Sequence, residues 1–242
     1  MKTLHILSPL AMALLVAACS GSPGSEPVPV APTVPKLSTT SLQGIWRSPA
    51  GAASTMSAVV LPDGKLWALI SNASGVRVLK GGFEVQANSF AASGKSFLLG
   101  TTTSAAVTLT ASVVEKSSLT GTISTAGAEP FSLAFQPRYE TPATLGDFAG
   151  TWNATLGPGN VNWMISATGA LTGTRTTGCT YSGQLSLRGE AKAVVDVTVT
   201  ENCANILTHL AGVGTKTEDK SGVSMLLAND DNSAAVALSL SK

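Results

Sequence analysis

The sequence predicts an all-β protein built as two tandem, antiparallel, eight-stranded up-and-down barrels, with two β-sandwiches as the alternative. The first observation is a period of two. Val107, Leu109, Ala111 and Val113 alternate with Thr108, Thr110 and Ser112. Phe131, Leu133 and Phe135 alternate with Ser132, Ala134 and Gln136, and Val195, Val197 and Val199 with Asp196, Thr198 and Thr200. Such alternation puts one face in a core and the other in water, as in antiparallel sheets. The second is a set of turn signals between these runs: Pro62-Asp63-Gly64, Asn72-Ala73-Ser74-Gly75, Ser93-Gly94, Thr168-Gly169 and Asn229-Asp230-Asp231-Asn232. The third is an internal echo. Leu42-Gln43-Gly44-Ile45-Trp46 returns as Phe148-Ala149-Gly150-Thr151-Trp152 at an offset of 106. Leu61-Pro62-Asp63-Gly64-Lys65-Leu66 returns as Ser166-Ala167-Thr168-Gly169-Ala170-Leu171, offset by 105 at the glycine. Each copy accommodates about eight short strands. Closing a meander into a barrel removes its exposed edges.

In chain order, residues 1–18 read as a leader. Lys2 and the free amine give a positive start, and the apolar run from Leu4 to Val16 is too short for a stable membrane span. Val16-Ala17-Ala18-Cys19 resembles the bacterial lipobox, an aliphatic residue and two small residues before an acceptor cysteine. The resemblance implies cleavage before Cys19, diacylglycerol on its thiol and an acyl group such as palmitate on the new amine. Several acyl chains anchor far better than one. Ser20, where Asp would be the usual inner-membrane retention signal, implies the outer membrane, on its periplasmic face or at the cell surface.

Residues 19–40 form a Pro-rich linker whose run from Pro23 to Pro35 favours an extended spacer. Module 1 then covers 41–137, a joint 138–144, and module 2 145–242. After removal of residues 1–18 the basic and acidic residues balance, and only 12% of the chain is charged. That composition has no electrostatic footprint for nucleic acid and no polybasic patch for anionic lipid. The scarcity of aromatic residues, with four Trp and two Tyr, argues against a transmembrane barrel with aromatic girdles.

With Cys19 taken by lipid, Cys179 and Cys203 are the remaining pair in an oxidising compartment, which points to a disulfide. Two buried free thiols are the alternative; zinc would need more ligands than this region offers. Gly150-Thr151-Trp152-Asn153 followed by Gly169-Ala170-Leu171-Thr172-Gly173-Thr174 resembles the first two strands of the avidin family. It implies a barrel with a core Trp on its first strand. The biotin pocket does not transfer, because Arg175 stands where avidins carry a Tyr. LPDGKLW at 61–67, YETPATL at 139–145 and GCTYSG at 178–183 resemble two-module proteobacterial outer-membrane lipoproteins. This resemblance supports the architecture and the bridge and implies no chemistry.

Trp46 and Trp152 occupy matched places and read as core plugs at the barrel base. Trp67 and Trp163 lack matched counterparts, which makes them the candidates for a ligand-pocket wall or an interface, against ordinary core packing. His209, the one histidine of the processed chain, reads as structural or exposed. Asp230-Asp231 and Glu218-Asp219-Lys220 read as solvated tips, lacking calcium-loop spacing. Gly81-Gly82 and Gly212-x-Gly214 read as bends within strands. Glu84, Glu115, Glu190 and Glu201 are scattered, and no GxSxG, HExxH, CxxC, P-loop or dinucleotide motif occurs. No catalytic residue, metal or cofactor is expected. The expectation is a non-enzymatic envelope lipoprotein acting as an interaction or envelope-structural module, held at the membrane through Cys19 and contacting an envelope protein. The alternative is a lipocalin-like carrier of a small apolar ligand.

Overall fold

The computed structural model describes residues 37–86, 89–124, 127–217 and 219–242. The leader, Cys19, the spacer up to Lys36, and Glu218 lie outside the described residues. Two closed antiparallel barrels follow one another, each an eight-stranded meander. The first comprises β1 (Gly44–Arg47), β2 (Thr55–Val60), β3 (Lys65–Asn72), β4 (Gly75–Gln86), β5 (Ser89–Leu98), β6 (Ser104–Val114), β7 (Ser118–Ser124) and β8 (Ala128–Phe135). It closes where Trp46 pairs with Phe135 and Arg47 with Ala134. The second comprises β9 (Gly150–Leu156), β10 (Gly159–Ile165), β11 (Ala170–Arg175), β12 (Thr180–Leu187), β13 (Val194–Cys203), β14 (Ile206–Lys216), β15 (Gly222–Asn229) and β16 (Ala235–Ser241). Its closure pairs Ser241 with Asn153.

The echo in the sequence is an echo in hydrogen bonds. Before each barrel stands a single helical turn, α1 (Thr39–Leu42) and α2 (Leu145–Phe148). Ser38 caps the first through the Ser41 N–H, and Thr144 caps the second through the Asp147 N–H. In both, a side-chain oxygen satisfies an orphan backbone donor of the first turn. Asp147 reciprocates by accepting from the Thr144 N–H at 2.9 Å, completing a capping box. The Trp46 indole then donates to Leu42 O at 3.0 Å and the Trp152 indole to Phe148 O at 2.7 Å. Each fully buried ring thus locks a helical plug across the base of its barrel.

The second landmark behaves the same way. Gly64 and Gly169 adopt φ of 82° and 84°, a conformation that favours glycine. Each turn bonds back identically, Leu61 N–H to Lys65 O at 2.9 Å and Ser166 N–H to Ala170 O at 2.8 Å. The glycine carbonyls accept from a later strand, Gly64 O from Phe83 and Gly169 O from Leu185.

The barrel axes are filled by the chain's own side chains. Trp46, Met56, Leu66, Leu79, Phe90 and Leu109 belong to one buried cluster inside the first barrel. Trp152, Trp163, Tyr181, Leu185, Met225 and Leu227 belong to another inside the second. Eight-stranded barrels have just enough width to be filled this way. Gly81 and Gly94 oppose each other across β4 and β5, where a Cβ on either would collide with the partner backbone. That close approach bends the two strands around the core.

A third apolar cluster joins the barrels. Ile45, Val59, Leu61, Trp67 and Val78 from the first pack with Val194, Val213, Leu226 and Ala228 from the second. The two barrels accordingly belong to one compact unit. The joint is part of this seam rather than a free linker. It forms a 3-10 turn over Pro137–Glu140 whose Tyr139 is fully buried, its hydroxyl donating to Gln43 Oε1 at 3.2 Å. Arg188 reinforces the seam. It pairs with Glu190 at 2.6 Å and Asp196 at 2.5 Å, and reaches Asp63 of the first barrel at 3.3 Å.

Candidate functional site

Trp67 and Trp163, read together from the sequence, have different places. Trp67 faces outward from β3 into the seam, with the Lys80 ammonium 5.4 Å from its ring centroid. It is an interface residue, and the interface is internal. Trp163 faces inward in the second barrel, edge-on to Tyr181 at 5.4 Å. Gly173, its neighbour on β11, has no room for a Cβ beside the indole, so the ring occupies that space. Trp163 is core, although its buried Nε1 lacks a hydrogen-bond partner among the described residues.

Cys179 and Cys203 form the expected disulfide, across the open ends of β12 and β13. It lies beside a polar group at the barrel mouth. The Tyr181 hydroxyl donates to Glu201 Oε1 at 2.6 Å, and Arg175 approaches the same carboxylate at 3.8 Å. Burial and the Glu201 hydrogen bond push the Tyr181 phenol well above its usual range, so it stays protonated and donates. Arg175 also donates to Leu156 O at 2.5 Å. Glu201 sits close to both sulfurs, but these are bonded to each other and offer no thiolates to a metal.

The disulfide also fixes the β13–β14 hairpin, whose turn residues Ala204 and Asn205 take φ of 50° and 70°. Just past the turn, Ile206 and Leu207 are 70% and 58% exposed. His209 is exposed on the same hairpin, its Nδ1 3.0 Å from Thr200 Oγ1. Among the described residues no carboxylate hydrogen-bonds to its ring to orient it as a base toward that hydroxyl.

Asp230 and Asp231 are exposed, as expected of a solvated turn, and the residue after them ties the tip to the first barrel. Asn232, at φ 53°, accepts from the Lys80 ammonium at 2.6 Å, and its carbonyl accepts from Lys95 at 3.1 Å. Spacing within the tip could not show this, because both lysines belong to the other module. Asp219 behaves as a tip residue. Hydrogen bonds from Ser221 and Thr217 hold its carboxyl down at about 2.

Two clefts belong to neither barrel interior. One, of ≈ 130 Å³, lies at the base of the second barrel, where Lys216 and Lys220 face Asp147 and the joint. Lys216 and Lys242 both lie over the Trp152 ring, at 4.4 and 5.0 Å from its centroid. Burial and the neighbouring Lys242 charge lower the Lys216 pKa. The other, of ≈ 120 Å³, opens in the seam itself, between β1–β3 and β14–β15. Its aliphatic wall includes Val59 and Leu226, and its polar groups are Arg47, Ser57, Thr215 and Ser224. No local motif announces it, since half of it comes from each barrel. The available signal was apolar runs too long for one-sided strands, 58–61, 66–70 and 225–228, which mark burial on both faces.

Comparison of the chain with protein-family models, characterised proteins and solved structures finds no match.

Proposed function

We propose that the chain is a lipid-anchored envelope lipoprotein of the outer membrane whose paired barrels act as a non-enzymatic interaction module. The observation that carries this reading is the β13–β14 hairpin tip. A disulfide and two left-handed residues hold it rigid while it presents Ile206 and Leu207 to solvent. Large exposed apolar side chains on a fixed turn lower the ordering cost of docking to another envelope protein. The filled barrel interiors favour recognition on outer surfaces over carriage of a molecule along the axis.

The lipobox supplies the anchor in this reading. Among the described residues no helix is long and apolar enough to cross a membrane. The test is fractionation combined with a photoreactive residue in place of Ile206. The full chain should sediment with the outer membrane, Cys19→Ser should move to the soluble fraction, and the probe at 206 should yield one defined crosslinked protein. A soluble wild type would overturn the anchor, and an absence of crosslinks specific to position 206 would overturn the docking role.

A further inference from the structure

The cleft in the seam contains a cation and hydroxyls that the protein itself does not use. Arg47 lies on β1, opposite Ser57 in the register, and faces away from the first barrel's core. Its Nε is inaccessible to solvent and without a hydrogen-bond partner, and no ion pair to its guanidinium occurs among the described residues. Across the cleft, Thr215 and Ser224 stand opposite each other on β14 and β15. Neither hydroxyl, nor that of Ser57, has a side-chain hydrogen bond among the described residues. The acid on the adjacent strand is already engaged. Asp196, which pairs with Val213 in the register, is bound by Arg188 at 2.5 Å.

Arg47 is half-buried, and its Nε is closed off from water with no acceptor or counter-charge beside it, an arrangement that costs free energy until an acceptor arrives. One ligand chemistry answers all of these groups. We propose that the cleft binds a small organic carboxylate with a short aliphatic body. The planar guanidinium fork matches the two carboxylate oxygens, and the hydroxyls of Ser57, Thr215 and Ser224 donate to the remaining lone pairs. The aliphatic part lies against Val59 and Leu226. The apolar half of the wall selects a monoanion carrying hydrocarbon over inorganic phosphate, whose greater hydration one guanidinium cannot replace. The site is composite, so it exists only while the two barrels are packed together. It stands independently of the membrane anchor and of the hairpin tip.

The test uses the purified full chain, titrated with sodium propionate at constant ionic strength while the Arg47 Nε–H resonance is followed by NMR. A saturable shift is expected at Arg47. Arg47→Gln should weaken binding on the order of 10–100-fold, as loss of a charged hydrogen bond implies. Ser224→Ala, on the other barrel, should weaken it by about threefold, the smaller effect of a neutral donor. Without ligand, Arg47→Gln should melt no lower than wild type, because no hydrogen bond or ion pair is lost; a marked fall would make Arg47 structural and overturn the proposal. Inorganic phosphate should give no saturable shift. A propionate titration that never saturates, equal affinity in Arg47→Gln, or binding of phosphate in preference to propionate would each overturn it. Arg47→Lys and Ser224→Ala extend the comparison, and unchanged affinity in both would refute the site.

Discussion

Replacing Trp67 with alanine removes the largest side chain from the apolar seam between the barrels. Trp67 is 4% exposed and packs in the cluster that also holds Ile45 and Val59 of the first barrel and Val213 and Leu226 of the second. The substitution also removes the ring beneath the Lys80 ammonium, which is tied to Asn232. Truncating a buried Trp to Ala costs about 3–5 kcal/mol, from lost transfer energy and the cavity left behind. With a urea dependence of roughly 2.5 kcal/mol/M, the midpoint should fall by about 1.5 M. The assay is equilibrium urea unfolding followed by fluorescence of Trp46, Trp152 and Trp163, all of which remain. Wild type should unfold in one transition common to all probes, since the barrels share a core. The variant should lose this coincidence, with one barrel unfolding before the other. An unchanged midpoint and a preserved single transition would refute the claim that the seam carries stability.

Three further outcomes follow from particular contacts. Breaking the bridge with Cys179→Ser and Cys203→Ser, separated by 24 residues, should cost roughly 3 kcal/mol in chemical unfolding by the chain-entropy account. Gly212→Ala should destabilise by at least about 2 kcal/mol, because its Cβ would meet the Leu226 carbonyl; a thermal melt equal to wild type would contradict the close strand approach. Asp147 gives a pH dependence. Hydrogen bonds from the Thr144 backbone and side chain hold its carboxyl below the usual range, so its stabilising contribution is present above the unfolded pKa and lost as pH falls through the folded one. The stability gap between wild type and Asp147→Asn should therefore be constant near neutrality and close in acid. A gap that widened on acidification would reverse the sign.

The barrels were legible because most strands bury a single face. β10 alternates strictly, with Val161, Trp163 and Ile165 inside and Asn162 and Met164 outside. The paired landmarks were legible because a base plug needs a capped helical turn, a glycine and a tryptophan at fixed spacing. The seam was not. In β3, Leu66 and Ala68 face the barrel core while Trp67 faces the other barrel, so the period of two disappears into an apolar run. Trp67 and Trp163 consequently looked alike in the sequence, although one points outward and the other inward. Arg47 carried no signal either, because what distinguishes it is the absence of a counter-charge across a gap between two modules. The contacts of Asn232 were not legible for the same reason, its partners Lys80 and Lys95 lying more than a hundred residues away in the chain.

Native mass spectrometry of the chain purified from its own envelope tests the central claim most directly. The expected species is a polypeptide beginning at Cys19, bearing covalent acyl modification and holding no dissociable hydrocarbon in either barrel. An unacylated chain, or one releasing a lipid-sized guest on gentle activation, would contradict it.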